Sequence, residues 1–137
     1  GEYCGECNRC QQVCPTRALD KPFQLDARKC LSYLTIEHSA EIGQEYQPPM
    51  KNFIFGCDLC QMVCPWNQKY ASDCREKDFA SRFSSTVLSL ENLRKLTVQQ
   101  YYQMFEGTAV RRLGFERFQR NVEIACQNFS HPEKNTG

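Results

Sequence analysis

The residues with the clearest chemistry are the cysteines of two short runs in the first half of this 137-residue chain. The first run places thiols at Cys4, Cys7, Cys10 and Cys14 and closes with Pro15. This is the C-x2-C-x2-C-x3-C-P spacing, in which three thiolates bind one [4Fe–4S] cluster and the fourth binds another. The run therefore predicts a second cluster-binding segment elsewhere in the chain.

The second run also ends in a Cys-Pro pair, but it supplies only three thiols, those of Cys57, Cys60 and Cys64. When the two runs are aligned on their endings, Ile54 stands where the first run has Cys4. An aliphatic side chain cannot bind iron, so one ligand is missing. Cys30 lies between the runs and can supply it.

Eight thiols thus suffice for two clusters. By the pseudo-symmetry of the runs, we predict that the first cluster is bound by Cys4, Cys7, Cys10 and Cys64. The second cluster is then bound by Cys14, Cys30, Cys57 and Cys60. Of the ten cysteines, Cys74 and Cys126 remain unassigned.

Two other uses of many cysteines compete with this interpretation. A disulfide framework needs an oxidising compartment, and nothing at the start of the chain resembles a secretory signal. Zinc is the stronger alternative, because two C-x2-C pairs can supply a tetrahedral site. Zinc does not account for the third C-x2 step of the first run or for the Cys-Pro pair that closes both runs, so iron–sulfur clusters are favoured.

Length and composition limit the class of protein. The chain is long enough for one domain or one and a half, and no apolar run approaches the length of a membrane span. We expect a monomer with no membrane association. Abundant cysteine used as thiolate indicates a reducing compartment, so a cytoplasmic location is expected. Because the chain starts at Gly1, immediately before the first run, we expect it to be a fragment of a longer protein.

The formal net charge of +1 is unevenly distributed. Residues 1–70 contain seven Lys and Arg and eight Asp and Glu, whereas residues 71–137 contain ten and eight. The basic half includes a cluster of four arginines, Arg111, Arg112, Arg117 and Arg120. Such a cluster indicates an anionic partner, although charge alone favours a solvated helix face.

The patterning divides the chain into two parts. Residues 1–70 carry the cysteine runs and predict a two-[4Fe–4S] ferredoxin-like domain, and residues 71–137 predict a connector followed by helices. In the second part, Thr97-Val-Gln-Gln100 is a capping box for a helix, and residues 114–128 show helical periodicity. The predicted fold class is small, irregular α+β, with an α-helical region after the ferredoxin-like domain.

Three local predictions concern the first part. Residues 31–37 favour a short helix over a strand. The paired prolines Pro48 and Pro49 predict a loop over residues 45–52. We expect Trp66 to pack in the core rather than over a cluster.

Longer sequence blocks are more specific than the cysteine spacing. They include Leu25-Asp-Ala-Arg-x-Cys30-x-Ser-Tyr-Leu-Thr-Ile-Glu37 and Phe55-Gly-Cys57-Asp-x-Cys60-Gln-x-Val-Cys64-Pro-Trp-Asn67. Further along stand Gly107-Thr-Ala-Val-Arg-Arg112 and Phe115-Glu-Arg-x2-Arg120-Asn121. With the first cysteine run, these blocks resemble the epoxyqueuosine reductases over residues 3–128.

The resemblance implies an oxidoreductase activity. Members of that family reduce epoxyqueuosine to queuosine at the wobble position of tRNA, removing the epoxide oxygen with two electrons and two protons. Their reactive cofactor is cobalamin, which is supplied with electrons by two [4Fe–4S] clusters. The second cluster would lie nearer the cobalamin, which makes Ser32 and Asp58 candidates for contacts with that cofactor.

The resemblance also implies partners. A tRNA substrate makes Arg111, Arg112, Arg117 and Arg120 candidates for phosphate contacts. An external donor, such as a flavodoxin or ferredoxin system, would supply the electrons. The helices after the clusters would begin a series of HEAT-like pairs.

In that family, most of the cobalamin site and the catalytic acid precede the first cysteine run. We therefore assign no catalytic residue here and expect this chain alone to be inactive. Two other functions stay open: a stand-alone two-[4Fe–4S] electron carrier, and the cluster domain of another corrinoid enzyme such as a reductive dehalogenase. A carrier has no need of the later helices and arginines, and the dehalogenases lack the block from Leu25 to Glu37.

Overall fold

The structure is a computed structural model that describes residues 3–76, 82–83 and 87–130. Within these residues the regular elements are helical and mostly short. The helices of the first part are α1 (Arg9–Val13), α2 (Leu31–Ile36), α3 (Gln47–Met50), α4 (Leu59–Met62) and α5 (Pro65–Tyr70). Those of the second part are α6 (Leu90–Arg94), α7 (Val98–Met104), α8 (Val110–Leu113) and α9 (Phe115–Ser130). Short 3-10 turns occupy Ala27–Lys29 and Gln44–Tyr46.

The expectation of an α+β fold is not confirmed. In the described part of the chain, the only β pairing is an isolated bridge between Lys21 and Gln24. The reason lies in the cysteine runs, because α1 begins at Arg9 and α4 at Leu59, inside the runs themselves. Helical turns between neighbouring ligands leave little extended chain that could pair. The described part of the fold is helical, and its first part contains both cysteine runs.

The loop predicted over residues 45–52 is wrong. A 3-10 turn ends at Tyr46, and α3 follows it with proline in its first turn. Proline is tolerated there because the first N–H groups of a helix have no partner within the helix, and its fixed φ suits the helix. Pro65 begins α5 in the same way.

The local predictions for the other helices agree with the structure. The helix favoured over residues 31–37 is α2, and the capping box is present at the start of α7, with Thr97 and Gln100 exchanging hydrogen bonds. The helix expected over residues 114–128 is α9. None of the described helices combines the length and apolar character that a membrane span requires.

The long helix α9 is the element on which both parts of the chain pack. On one side it contributes Phe118 and Val122 to a core with Leu93, Tyr101, Phe105 and Leu113. On the other side Ile124 joins a second core with Leu31, Leu34, Ile42 and Met50. Burial of each large apolar side chain contributes about 1.5–3 kcal/mol to the free energy of folding. The division at residue 70 stays a prediction, and α9 packs across it.

Candidate metal centre

Four of the predicted ligands surround a first cavity of about 320 Å³. Its wall contains the thiols of Cys4, Cys7, Cys10 and Cys64, which are the four ligands predicted for the first cluster. Arg9, Pro65, Trp66 and Lys69 complete the lining. The structure therefore brings together residues that lie far apart in the sequence.

A second cavity, of about 470 Å³, contains the other four predicted ligands. Its lining includes Cys14, Cys30, Cys57 and Cys60, together with Cys10 and Cys64 from the first set. Because the last two border both cavities, the cavities are neighbours. Two groups held in them would share Cys10 and Cys64 as neighbours.

The thiols are distributed around the cavity walls. Among the residues that the structure describes, no three His, Cys, Asp or Glu side chains converge closely enough to hold a single metal ion. A cube-shaped cluster differs from a single ion in that it takes one thiolate at each of four corners. The eight thiols and the two cavities fit that requirement, and the individual ligand assignment stays a prediction.

Tight turns between neighbouring cysteines determine the path of the backbone around the thiols. Cys7 N donates to Cys4 O at 3.0 Å, which closes a tight turn containing Gly5 at φ 54°. Helices α1 and α4, one from each run, pack against each other. Gly56, at φ 80°, leads into Cys57 with a conformation that few other residues adopt.

Cys14 lies in a polar backbone environment. Burial acts to raise the pKa of its thiol, but backbone hydrogen bonds from Leu19 and Thr16 outweigh burial and lower the pKa. Ala18 N also donates to Cys14 Sγ at 3.2 Å. Hydrogen bonds to a ligand sulfur favour the thiolate that iron requires.

Two other thiols of the second cavity, those of Cys57 and Cys60, have the reverse tendency. Burial raises the pKa of Cys57, and the neighbouring thiols of Cys30 and Cys14 raise it further. Burial also raises the pKa of Cys60, with a contribution from Cys57. These mutual effects arise because the thiols are close to one another. Bound iron would reverse them, since a metal deprotonates the thiols that coordinate it.

The two candidates for cobalamin contacts both line the second cavity. Ser32 Oγ accepts a hydrogen bond from Cys57 N and donates one to Cys57 O, both at 3.0 Å. Asp58 precedes α4, makes no side-chain cap and is exposed. Ser32 is thus engaged with the cysteine backbone, whereas the Asp58 carboxylate lies at the rim of the cavity.

Two of the four candidate arginines make internal hydrogen bonds. Arg117 donates to the carbonyl oxygens of Ile36 and Glu37, both at 3.3 Å. Arg120 donates to Leu34 O at 3.1 Å and to carbonyl oxygens just beyond α2. These guanidinium groups satisfy the free carbonyls at the end of α2, which is a structural role that the sequence pattern did not indicate.

The other two arginines are exposed. Arg112 forms an ion pair with Glu37 at 2.7 Å, and Arg111 lies 3.8 Å from Glu106. The Arg111 guanidinium is also 5.7 Å from the centre of the Tyr102 ring. Exposed pairs of this kind contribute about 0–1 kcal/mol, so both side chains can exchange their present partners for another anion at small cost.

The expectation that Trp66 packs in the core is wrong. Its side chain is 43% exposed and lines the first cavity. The indole stacks on Tyr70 at 5.6 Å between ring centres and meets Tyr3 edge-on at 6.2 Å. Trp66 therefore covers the first cavity, which was the less favoured of the two interpretations of its position in the sequence.

The two remaining cysteines lie outside both cavities. Cys74 is exposed, and Cys126, a residue of α9, is partly buried against the core that contains Phe118 and Val122.

Comparison with known proteins identifies the class to which this arrangement belongs. Residues 3–67, which contain all eight predicted ligands, match a family described as a 4Fe-4S double cluster binding domain. This segment is therefore similar to domains that bind two [4Fe–4S] clusters.

The similarity extends beyond the cluster segment. The epoxyqueuosine reductase of Xanthomonas campestris pv. campestris is 43% identical over 126 residues, covering 92% of this chain and 35% of the relative. That of Escherichia coli K12 is 42% identical over 127 residues, covering 93% and 33%. The chain is thus related to the epoxyqueuosine reductases and spans about a third of the length of these relatives.

Comparison with solved structures also finds epoxyqueuosine reductases. The chain matches a crystal structure of epoxyqueuosine reductase with an epoxyqueuosine-modified tRNA-Tyr stem loop at a TM-score of 0.82 and 29% identity. It also matches the epoxyqueuosine reductase of Bacillus subtilis at 0.80 and 28%. Both matches cover 94% of this chain and 34% of the other.

Proposed function

We propose that this chain is the iron–sulfur electron-transfer segment of an epoxyqueuosine reductase, which reduces epoxyqueuosine to queuosine in tRNA. The observation that carries the proposal is the arrangement of eight thiols around two neighbouring cavities. The sequence relationship to epoxyqueuosine reductases supplies the reaction in which such a pair of clusters would take part.

The role of the protein residues is to hold and separate two [4Fe–4S] clusters. Cys4, Cys7, Cys10 and Cys64 would hold the first cluster, and Cys14, Cys30, Cys57 and Cys60 would hold the second. When bound, such clusters accept and release single electrons, with potentials set by hydrogen bonds and solvent exposure. The amide at Ala18, which donates to Cys14 Sγ, is one group of this chain that would influence that potential.

We place the cobalamin of the whole enzyme beside the second cavity. Asp58 is the better of the two candidates for a contact, because its carboxylate is exposed at the rim of that cavity. Ser32 would act indirectly, through its two hydrogen bonds to the backbone of Cys57.

The tRNA partner would be bound through phosphate contacts. Arg111 and Arg112 carry this part of the proposal, since their side chains are exposed. Arg117 and Arg120 would instead support the interface by fixing the end of α2 against α9. The remaining features of the proposal are an external donor such as a flavodoxin or ferredoxin system, a monomeric state and a cytoplasmic location.

Binding to tRNA tests this proposal against a stand-alone electron carrier. We expect the cluster-loaded chain to bind an epoxyqueuosine-modified anticodon stem loop with an affinity that falls as salt increases. A chain that carries two clusters and does not bind the stem loop at low salt would favour the carrier instead.

A further inference from the structure

Two separate segments bring Cys30 and Cys57 to the second cavity. Cys30 directly precedes α2, and residues 54–56 lead into Cys57. Among the described residues, no main-chain hydrogen bond joins residues 30–36 to residues 53–57. The spacing of the two thiols therefore depends on side chains that bridge the segments.

Two of the bridging side chains belong to α2. Ser32 Oγ binds both the N–H and the carbonyl of Cys57 at 3.0 Å. One turn later, Thr35 Oγ1 accepts a hydrogen bond from Gly56 N at 3.0 Å and donates one to Leu31 O at 2.7 Å. Thr35 is fully buried, so its hydroxyl has no exchange with water.

The third bridging side chain comes from α9. Asn121 is fully buried, and its Nδ2 donates to Thr35 O and to Ile54 O, both at 2.8 Å. One carbonyl belongs to the segment of Cys30 and the other to the segment of Cys57. A single amide thus links the two segments, in addition to the bridges made by Ser32 and Thr35.

The orientation of that amide is itself fixed. Asn121 Oδ1 accepts hydrogen bonds from Arg120 Nε at 3.1 Å and from Arg120 Nη2 at 3.0 Å. Arg120 also donates to Leu34 O. The amide of Asn121 can therefore present only its NH₂ group to the two carbonyl oxygens.

We propose that Asn121, together with Ser32 and Thr35, is a positioning residue that sets the placement of Cys30 and Cys57 and so the retention and potential of the second cluster. The inference rests on the proposed function, because it assumes that the thiols hold iron. Partners beyond the ligands commonly contribute about 10–100-fold to metal affinity. Here one of the three partners, Asn121, comes from α9, a helix that contains no predicted ligand.

Asn128 offers a matched control on the same helix. Its Nδ2 also donates to two carbonyl oxygens, those of Gln47 at 2.8 Å and Lys51 at 3.1 Å. That segment carries no predicted ligand. Asn121→Ala and Asn128→Ala therefore each remove two amide-to-carbonyl hydrogen bonds, which are more buried at Asn121, and only the first affects the link between the cysteine segments.

The test measures iron release to a chelator and the midpoint potential of each cluster by EPR-monitored titration. Cys4→Ala and Cys30→Ala variants identify the signals of the first and second cluster. In Asn121→Ala and Ser32→Ala we expect the second cluster to lose iron about 10-fold faster, with a shifted potential and an unchanged first cluster. Asn128→Ala and Ser32→Thr, which keeps the hydroxyl, should behave like the unmodified chain.

Equal effects on both clusters, or none, in Asn121→Ala and Ser32→Ala would overturn the inference while leaving the proposed function intact. Should Asn121→Ala fail to fold, Ser32→Ala decides the question alone, since its side chain is only partly buried. Absence of clusters from the unmodified chain would overturn the proposed function and the inference with it.

Discussion

The indole Nε1 of Trp66 donates a hydrogen bond to the carbonyl oxygen of Tyr3 at 3.0 Å. Tyr3 immediately precedes the first cysteine run, and Trp66 immediately follows the second. The bond therefore links the start of the first run to the end of the second, and Trp66 lines the first cavity together with Cys4 and Cys64.

Replacing this indole should loosen the first cluster. Trp66→Phe keeps an aromatic ring beside Tyr70 but removes the indole N–H that donates to Tyr3 O. Loss of this hydrogen bond should destabilise the closed arrangement by about 1 kcal/mol. We expect roughly 5-fold faster loss of iron from the first cluster, measured by chelation, because 1.4 kcal/mol corresponds to about tenfold. Tyr70→Phe, which keeps the stacked ring, is the control and should release iron at the normal rate. A faster loss from the second cluster alone would contradict this role for Trp66.

The ligand assignment predicts how single cysteine variants differ. Cys4→Ala should impair the first cluster and Cys30→Ala the second, so that the EPR spectrum of each variant lacks a different signal. Cys74→Ala is the matched control, because Cys74 is exposed and lies outside both cavities. Its iron content should equal that of the unmodified chain. Loss of iron in the control, or full loading of Cys30→Ala, would show that the assignment is wrong.

Helix α9 should be anchored by its buried face. Phe118 is 2% exposed in the core, whereas Phe129 on the same helix is 63% exposed. Phe118→Ala should lower the free energy of unfolding by about 3–5 kcal/mol, and Phe129→Ala by no more than about 0.5 kcal/mol. Denaturant unfolding followed by circular dichroism measures both. Similar losses in the two variants would mean that α9 does not pack as described.

The exposed arginines should contribute to tRNA binding through charge. Arg111→Gln and Arg112→Gln should each weaken binding of the modified stem loop and reduce the slope of log affinity against log salt by about 1. Arg94→Gln is the control, since Arg94 is an exposed arginine that pairs with Glu123 and does not belong to the group of four candidate arginines. An effect of Arg94→Gln as large as that of Arg112→Gln would indicate non-specific attraction.

Features encoded by neighbouring residues could be predicted from the sequence. The capping box of Thr97 and Gln100 is local, so its residues alone define the start of α7. The spacing of the two cysteine runs is equally local. With Cys30 added for the missing ligand, the spacing predicts two sets of four thiols; the first set lines the first cavity, and the second set lines the second cavity together with Cys10 and Cys64.

Features that depend on distant partners could not be predicted in this way. Arg117 and Arg120 look like a surface charge cluster in sequence, but they bind carbonyls that follow α2, some eighty residues earlier. Asn121 gives no periodic signal, and only the fold shows that its amide reaches both cysteine segments. The Pro48-Pro49 pair predicts a loop from the sequence alone, although its position in the first turn of α3 makes it compatible with a helix.

The most direct test of the account is the iron, sulfide and zinc content of the chain after anaerobic purification, together with the EPR spectrum of the reduced protein. Two bound [4Fe–4S] clusters would give about eight iron and about eight sulfide per chain, and a spectrum of two interacting clusters, because neighbouring cavities would bring the clusters close together. About one zinc per chain without sulfide would contradict it, since the thiols would then serve a single tetrahedral ion.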